Sequence, residues 1–290
     1  MREMQATICD ALEERDAGRL REDRWESPDG GGGWSRVLQD GTVFEKAGIN
    51  VASVDGVLSP QASEVMLGKK GIEPGPHRFA AVGLSVVLHP VNPHAPTIHC
   101  NYRYFELADG RWWFGGGTDL TPIYLYEEDA RTFHRVLRGA CDRHDQAFYP
   151  RFKRWCDEYF YLPHREETRG VGGIFFDDLR DRPAEACFAF VSDCATAFLA
   201  GYLPILDRRA EEPFGPPEIR WQRLRRGRYV EFNLMYDRGT QFGLRTGGRV
   251  ESILMSLPLH ARWEYDQEPD PGSREATTLE ALREPRDWVE

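Results

Sequence analysis

The sequence has few lysines, no excess of positive charge and no long apolar run. Only four of its 37 basic residues are lysine, and 47 acidic residues give a formal net charge of −10. A nucleic-acid partner is not expected, because proteins that bind nucleic acid neutralise its phosphates with lysine and arginine. A membrane span needs roughly 20 apolar residues. The longest strongly apolar stretch, residues 79–88, has ten, so no span is expected.

The six cysteines form no C-x-x-C pair and no closely spaced framework. Free cysteines among apolar neighbours usually act as small buried hydrophobes in a reducing compartment. The first twenty residues carry many charges and lack the uninterrupted apolar core of a signal peptide. Together these observations predict a cytoplasmic location.

Several common catalytic motifs are also missing. The sequence has no P-loop, no dinucleotide-binding glycine fingerprint, no H-E-x-x-H zinc motif and no G-x-S-x-G nucleophile elbow. These absences argue against nucleotide-dependent, zinc-protease and α/β-hydrolase chemistry. No organic cofactor is expected.

Hydrophobic periodicity predicts an antiparallel sheet covered by helices. Residues 1–24 have helical spacing, and residues 1–25 are taken as an N-terminal helical extension. Further helices are predicted for residues 127–144, 152–159, 183–199 and 216–226. Strands are predicted for residues 34–39, 42–46, 50–57, 79–89, 97–107, 111–120, 172–177, 228–236 and 241–246. With 41% hydrophobic residues and no evident linker, we predict a single α+β domain over residues 1–290, its large antiparallel sheet sandwiched between helical layers.

The strand predicted at Thr97–Leu107 carries a stripe of polar residues on one face. Because side chains alternate along a strand, His99, Asn101 and Arg103 share that face. A three-residue loop at 108–110 with a left-handed glycine would place Asp119 opposite His99.

The same register places glycines opposite Asn101 and Arg103, which would leave an open floor for a flat ligand. A two-residue loop would instead turn Asp119 to the other face. A solvent-exposed sheet face also remains an explanation of the polar stripe.

Other titratable residues allow further chemistry. His89, His134 and His164 could join His99 on a metal, although no pair has helical i, i+4 spacing and a lone histidine is more often a satisfied core or surface residue. Asp177 and Asp178 could be catalytic carboxylates or ordinary loop residues.

Five segments resemble oxygen-dependent coproporphyrinogen III oxidases: residues 30–48, 89–106, 112–122, 169–179 and 227–263. The similarity extends from about residue 25 to nearly the end of the chain. It implies a homodimeric α+β enzyme of haem biosynthesis. It also implies the reaction, in which molecular oxygen is the co-substrate and the ring A and ring B propionates of coproporphyrinogen III become vinyl groups with release of CO2.

The resemblance also implies residue roles. His99 would be a proton donor and Asp119 an essential carboxylate. The substrate-binding positions would be Ser85, Asn101, Tyr102, Arg103, Arg169, Gly247, Gly248 and Arg249. A divalent metal, described for some bacterial members and not for others, would be held by His89, His99, His134 and His164. The segment from Tyr229 to Glu264 matches the dimer-forming region of the family.

A wide macrocycle with four carboxylates suits a glycine-floored face rimmed by arginines. We hypothesise that Asp119 holds or deprotonates pyrrole N–H groups while Arg103, Arg169 and Arg249 orient carboxylates. An oxygen adduct would then remove a propionate β-hydrogen as CO2 leaves. A tetrapyrrole-binding protein without catalysis and a metal-dependent hydrolase or oxygenase remain as other functions.

Overall fold

The computed structural model describes residues 1–28 and 30–289. Its main feature is an antiparallel sheet of seven strands. Strands β1 to β9 are, in chain order, Arg21–Glu26, Gly31–Gln39, Phe44–Val57, Arg78–Pro90, Thr97–Leu107, Trp112–Thr121, Tyr161–Leu162, Glu167–Thr168 and Gly172–Leu179. The large sheet has the order β1-β2-β3-β4-β5-β6-β9, and every neighbouring pair is antiparallel. Strands β7 and β8 form a separate hairpin.

Helices cover both faces of this sheet. Helices α1 to α9 are, in chain order, Arg2–Glu13, Pro60–Leu67, Glu127–Asp142, Phe148–Tyr159, Ala184–Arg209, Pro216–Met235, Arg238–Arg245, Val250–Leu254 and Arg274–Arg283. On one face, α1, α3, α4 and α5 pack with Ile98, Cys100 and Tyr102 of β5 into the main core. On the other face, α2 packs on Phe105 and Trp113, and Met255, just after α8, contacts Gly48. The predicted fold class is confirmed.

Helix α5 is long and apolar enough to cross a membrane by length and composition alone, with 26 residues and a mean hydropathy of 1.5 in its most apolar window. Half of that window is buried in the protein. Phe190, Phe198 and Tyr202 of α5 lie fully inside the main core. A buried core helix meets the same criteria, so α5 is weak evidence for a membrane span.

The N-terminal prediction is wrong in part. Helix α1 ends at Glu13, and residues 21–24, which were included in the predicted helix, belong to the edge strand β1. Five of the six residues of β1, REDRWE, are charged, so they lack the apolar alternation that signals a strand. Their partner in the sheet is the glycine run of β2. The indole of Trp25 lies against Gly33, and a Cβ on Gly33 would approach that indole to 2.3 Å.

The strands predicted for residues 228–236 and 241–246 are also wrong, because both segments are helical. Helix α6 starts with Pro216 at its first position and a Glu218 side chain that accepts from the Gly215 N–H, and it continues to Met235. Its buried residues Trp221, Arg225, Tyr229 and Phe232 recur at spacings of three and four. The predicted turn at Asp237 is the N-cap of α7, since the Asp237 carboxylate accepts from the Thr240 N–H at 2.7 Å.

All six cysteines are buried and unpaired. Burial raises the pKa of the Cys100, Cys156 and Cys194 thiols. Within the described residues these side chains act as small hydrophobes, as the sequence predicts.

Candidate active site

The hairpin of β5 and β6 has the predicted three-residue loop. Leu107 N–H donates to Arg111 C=O at 2.8 Å, and Gly110 has φ of 88°, a left-handed conformation that glycine adopts without strain. The register therefore pairs His99 with Asp119, Asn101 with Gly117 and Arg103 with Gly115. The register predicted from the sequence is confirmed.

The glycines of β6 make room for their neighbours. A Cβ at Gly117 would lie 2.5 Å from the Ile174 carbonyl oxygen of β9. A Cβ at Gly115 would lie 2.7 Å from Asp177 Oδ1 and 2.8 Å from Arg103 Cζ. The floor beside Asn101 and Arg103 therefore consists of backbone, as the sequence predicts.

Asp119 lies between His99 and Arg169 and contacts both. His99 Nδ1 donates to Asp119 Oδ1 at 2.8 Å, and Arg169 Nη2 donates to Oδ1 at 2.9 Å and to Oδ2 at 2.7 Å. Only 1% of the Arg169 side chain and 2% of the Asp119 side chain are exposed. The two form a buried ion pair, so each charge depends on the other for compensation.

Electrostatics keep Asp119 ionised. Burial alone would raise the pKa of its carboxyl group, but the Arg169 guanidinium and the His99 hydrogen bond together hold that pKa below its usual value. Asp119 in turn raises the pKa of Arg169 against the effect of burial. The Arg169 guanidinium also lies 4.1 Å from the ring centroid of Phe160 and 4.6 Å from that of Tyr229.

His99 presents one ring nitrogen to the open side of the sheet. Because a carboxylate only accepts hydrogen bonds, Nδ1 carries the proton that contacts Asp119, and Nε2 faces away from that contact. The His99 side chain keeps 20% of its surface exposed, whereas Asp119 is buried. Of the two, His99 is the group that a ligand on the sheet reaches first.

A row of polar side chains crosses the same face of the sheet. The register aligns Asp23, Ser35, Asn50, Ser85 and Asn101 from β1 to β5. We call these five residues the polar row. Ser85 and Asn101 were predicted from the sequence, but the other three were missed because their alignment needs the pairing of β1, β2 and β3.

An arginine lies at each end of the polar row. At the β5 end, Arg103 donates to Asn101 Oδ1 at 3.0 Å and to Asp177 Oδ1 at 2.9 Å. At the β1 end, Arg249 donates to Asp23 Oδ2 at 2.6 Å and to Ser252 Oγ at 2.9 Å. Asp23 and Asn101 lie four strand spacings apart, or about 19 Å.

Two residues predicted to contact the substrate, Tyr102 and Arg169, do not lie on the open face of the sheet. Tyr102 points to the opposite face, where it is fully buried and bonds Thr118, because neighbouring residues of a strand alternate. Arg169 is buried against Asp119 and does not line the open face. Gly247 and Gly248 lie between α7 and α8, next to Arg249, and Gly247 has φ of 76°.

Comparison with known proteins decides the family. The model of the coproporphyrinogen III oxidase family matches residues 1–288. The soybean (Glycine max) protein named oxygen-dependent coproporphyrinogen-III oxidase, chloroplastic, is 56% identical over 299 residues, which cover 100% of this chain and 78% of that protein. This chain belongs to the coproporphyrinogen III oxidase family.

Animal members of the coproporphyrinogen III oxidase family are equally similar. The human protein, named mitochondrial, is 56% identical over 296 residues, or 99% of this chain and 65% of its own length. The Drosophila melanogaster protein is 56% identical over 296 residues, or 99% of this chain and 76% of its own length. Both are named oxygen-dependent coproporphyrinogen-III oxidases.

The predicted cytoplasmic location is wrong by this comparison. The soybean, Arabidopsis thaliana and tobacco relatives are named chloroplastic, and the human relative is named mitochondrial. Cysteine use and charge near the N-terminus describe the chain itself and carry no information that separates these compartments.

The four histidines predicted as metal ligands do not form one site. His134 lies on α3, on the opposite face of the sheet from His99, where its Nδ1 accepts from the Tyr149 hydroxyl and Nε2 donates to the Val171 carbonyl. His164 bonds Glu231 and Tyr236 through its two nitrogens.

Both ring nitrogens of His89 are hydrogen-bonded within the protein as well. Nε2 donates to Ser256 C=O at 2.9 Å, and Nδ1 accepts from the Thr97 hydroxyl at 3.2 Å. Burial lowers the pKa of both His89 and His134 to about 3, so both rings stay neutral. Across residues 1–28 and 30–289 no group of three or more His, Cys, Asp or Glu side chains is arranged to hold a metal ion. The residues present therefore do not fit the predicted metal.

Proposed function

We propose that this chain carries out the oxygen-dependent oxidative decarboxylation of coproporphyrinogen III, with His99, Asp119 and the polar row as its active site. Membership of the coproporphyrinogen III oxidase family supports the reaction. The observation that supports the location is the His99–Asp119 pair, which lies beside a polar row with an arginine at each end. The substrate is a wide tetrapyrrole with carboxylates around its rim, and it matches an open sheet face bounded by cations.

The arginines at the ends of the polar row bind propionates. Arg103 has 39% of its side chain exposed and Arg249 has 30%, so both reach a ligand on the sheet. Asp23 and Asn101, which they contact, lie about 19 Å apart, so the two arginines can bind carboxylates on opposite sides of a macrocycle. Ser85 and Asn101 lie between them and donate hydrogen bonds to the polar edge of the substrate.

His99 supplies the proton that the reaction needs. Each decarboxylation converts a –CH2–CH2–COO⁻ group to –CH=CH2 and CO2, and it removes two electrons and one proton. Oxygen takes both electrons, and its reduction to hydrogen peroxide consumes two protons, one more than the substrate releases. His99 Nε2 delivers that proton from the exposed side of the ring, while Asp119 pairs with the imidazolium through Nδ1.

Asp119 acts as a fixed negative charge more than as a base. Its lowered pKa makes it a weak proton acceptor, which argues against removal of pyrrole N–H protons by Asp119, and its burial leaves His99 as the group that contacts the substrate. An ionised carboxylate also stabilises the positive charge that develops on the pyrrole when electrons pass to oxygen. Arg169 is a positioning residue, since it acts through Asp119.

Removal of oxygen is expected to stop turnover. Purified protein incubated with coproporphyrinogen III in a glove box should form no vinyl product, and admission of air should start CO2 release. Product is measured by chromatography of the oxidised porphyrins. A non-catalytic tetrapyrrole-binding protein would bind the macrocycle with or without oxygen and form no product. Vinyl product without oxygen, or binding without turnover in air, would contradict the proposal.

Gly115→Ala is expected to raise the KM for coproporphyrinogen III about tenfold, which corresponds to about 1.4 kcal/mol, with little change in kcat. The added Cβ would displace the Arg103 guanidinium, which is a flexible group, so the fold should be preserved. Initial rates over a range of substrate concentrations test this. Gly139→Ala, where the Cβ meets nothing within 4 Å, is the matched control. An unchanged KM in Gly115→Ala would mean that Arg103 does not bind substrate.

We also propose a homodimer that forms through the segment from Tyr229 to Glu264. Eleven large hydrophobic side chains are exposed within the described residues, and five of them lie in this segment: Leu234, Met235, Leu244, Val250 and Trp263. A concentration of exposed apolar side chains is typical of a subunit interface. The strand face expected from the sequence does not exist, because α6 is a helix with Phe232 buried inward.

Val250→Asp is expected to weaken dimerisation by at least tenfold in Kd, because a buried unpaired carboxylate is heavily disfavoured. Val250 is 51% exposed in one chain, so the change should leave the folded monomer intact. Sedimentation velocity at micromolar concentration measures the change. Phe188→Asp, at a residue that is 60% exposed on α5, is the control and should stay dimeric. A wild-type monomer, or loss of the dimer only in Phe188→Asp, would place the interface elsewhere.

A further inference from the structure

A cavity of about 210 Å3 lies between α6, α9 and the β7–β8 hairpin. Its walls carry four arginines, Arg165, Arg225, Arg228 and Arg283, and we call it the arginine cavity. Its lining residues include none of the polar row and neither His99 nor Asp119. The reaction proposed above therefore leaves this concentration of cations unexplained.

Positive charge exceeds negative charge in the arginine cavity. Against its four arginines the lining has two carboxylates, Glu167 and Glu268. The side chains of Arg225 and Glu167 are 5% and 4% exposed, and Arg225 Nη2 lies 2.7 Å from Glu167 Oε1. The charge of this arginine is therefore neutralised by a buried carboxylate. Arg165 and Arg228 share the carboxylate of Glu231, which lies outside the lining, so the four arginines outnumber the three nearby carboxylates by one positive charge.

Three separate elements bring these arginines together. Arg225 and Arg228 lie on one side of α6, Arg165 lies in the β7–β8 loop, and Arg283 ends α9 with its side chain exposed. Arg165 and Arg228 both contact Glu231, which holds them side by side. Burial lowers the pKa of Arg228, Glu231 raises it, and the nearby Arg165 and Arg225 lower it further. The like charges repel one another, and the fold holds them in place.

We propose that the arginine cavity binds a small oxyanion with two or more negative charges, either a phosphate or a polycarboxylate. Guanidinium groups match such anions because they donate paired, charge-assisted hydrogen bonds. A cavity of about 210 Å3 has room for a diphosphate or a tricarboxylate. The cavity is thus a second anion site, separate from the propionate-binding arginines.

Isothermal titration calorimetry on the full-length protein tests this with two probes, sodium pyrophosphate and sodium citrate, at low ionic strength. We expect saturable binding of about one equivalent of at least one probe. Binding of pyrophosphate alone identifies a phosphate site, citrate alone identifies a polycarboxylate site, and both identify a site for either. Absence of saturable binding of both probes overturns the proposal.

Variants locate the bound anion. Arg283→Gln, at an exposed helix end that tolerates the change, should weaken binding at least fivefold, and Arg228→Gln combined with it should weaken binding further. Arg135→Gln, at an exposed position of α3, is the matched surface control and should bind as the wild type does. Arg103→Gln reports on the active site and should also leave the affinity unchanged. If Arg103→Gln abolishes binding and Arg283→Gln does not, the anion lies on the polar row and the proposal is wrong.

Discussion

Asp119→Asn should lower kcat at least a hundredfold, the usual minimum for loss of one group that stabilises charge in the transition state. The amide keeps the shape of the carboxylate but removes the charge that pairs with the His99 imidazolium and stabilises the oxidised pyrrole. It also leaves the buried Arg169 uncompensated, so some loss of stability is expected. Single-turnover assays on protein shown to be folded by near-ultraviolet circular dichroism measure the chemical effect.

A matched control separates catalysis from stability. Asp129→Asn also removes a buried carboxylate from an arginine, since Asp129 Oδ2 lies 2.8 Å from Arg209 Nε, and Asp129 lies on α3, which packs on the face of the sheet opposite His99. Because Arg209 keeps Glu128 and Glu212 as partners, this variant should lose less stability than Asp119→Asn, and it should keep turnover close to that of the wild type. His99→Ala should lose less turnover than Asp119→Asn, because water can replace a proton donor. Near-wild-type turnover in folded Asp119→Asn would refute the role of the charge.

Arg169→Met is expected to destabilise the protein by about 3–5 kcal/mol, the usual cost of leaving one partner of a buried ion pair alone. Methionine fills much of the same volume among Phe160, Tyr229 and Phe232. Without the guanidinium, burial dominates and the pKa of Asp119 rises above its value in the unfolded chain. Urea unfolding at several pH values measures both effects.

The pH dependence should have opposite signs in the two proteins. In the wild type the pKa of Asp119 is lowered, so its contribution is complete above the unfolded-state pKa and is lost as pH falls through the folded-state value. In Arg169→Met the folded state binds the proton more tightly, so stability improves as pH falls from 8 towards 5. The difference in unfolding free energy between the two should therefore shrink at low pH. A constant difference across that range would show that Asp119 is not the group affected.

Local sequence patterns were sufficient to predict the β5–β6 hairpin. Alternation assigned His99 to one face, and the left-handed glycine of a three-residue loop fixed the register that brings Asp119 opposite. Nothing local connects Arg169 to Asp119, because they lie 50 residues apart and meet only through the order of the sheet. For the same reason the sequence did not show that Arg169 is buried.

Residues 228–236 show how a short window misleads. The alternation that begins at Tyr229 resembles a strand, but Tyr229 and Phe232 also fit the spacing of a helix that started earlier. The signals that decide between them, Pro216 and the Glu218 side chain at the N-terminus of α6, lie outside that window. Strand β1 was missed for the opposite reason, since it has charges and no apolar alternation.

The burial of all six cysteines has a chemical consequence for an enzyme that reduces oxygen. Peroxide attacks the thiolate form of cysteine, and attack requires access to the sulfur. Cys100 lies on β5 next to His99 but points into the core, where burial raises the pKa of its thiol and solvent does not reach it. A by-product released beside His99 therefore meets a surface with no reactive sulfur from cysteine among the described residues. Burial of these thiols therefore protects them from peroxide formed at the proposed active site.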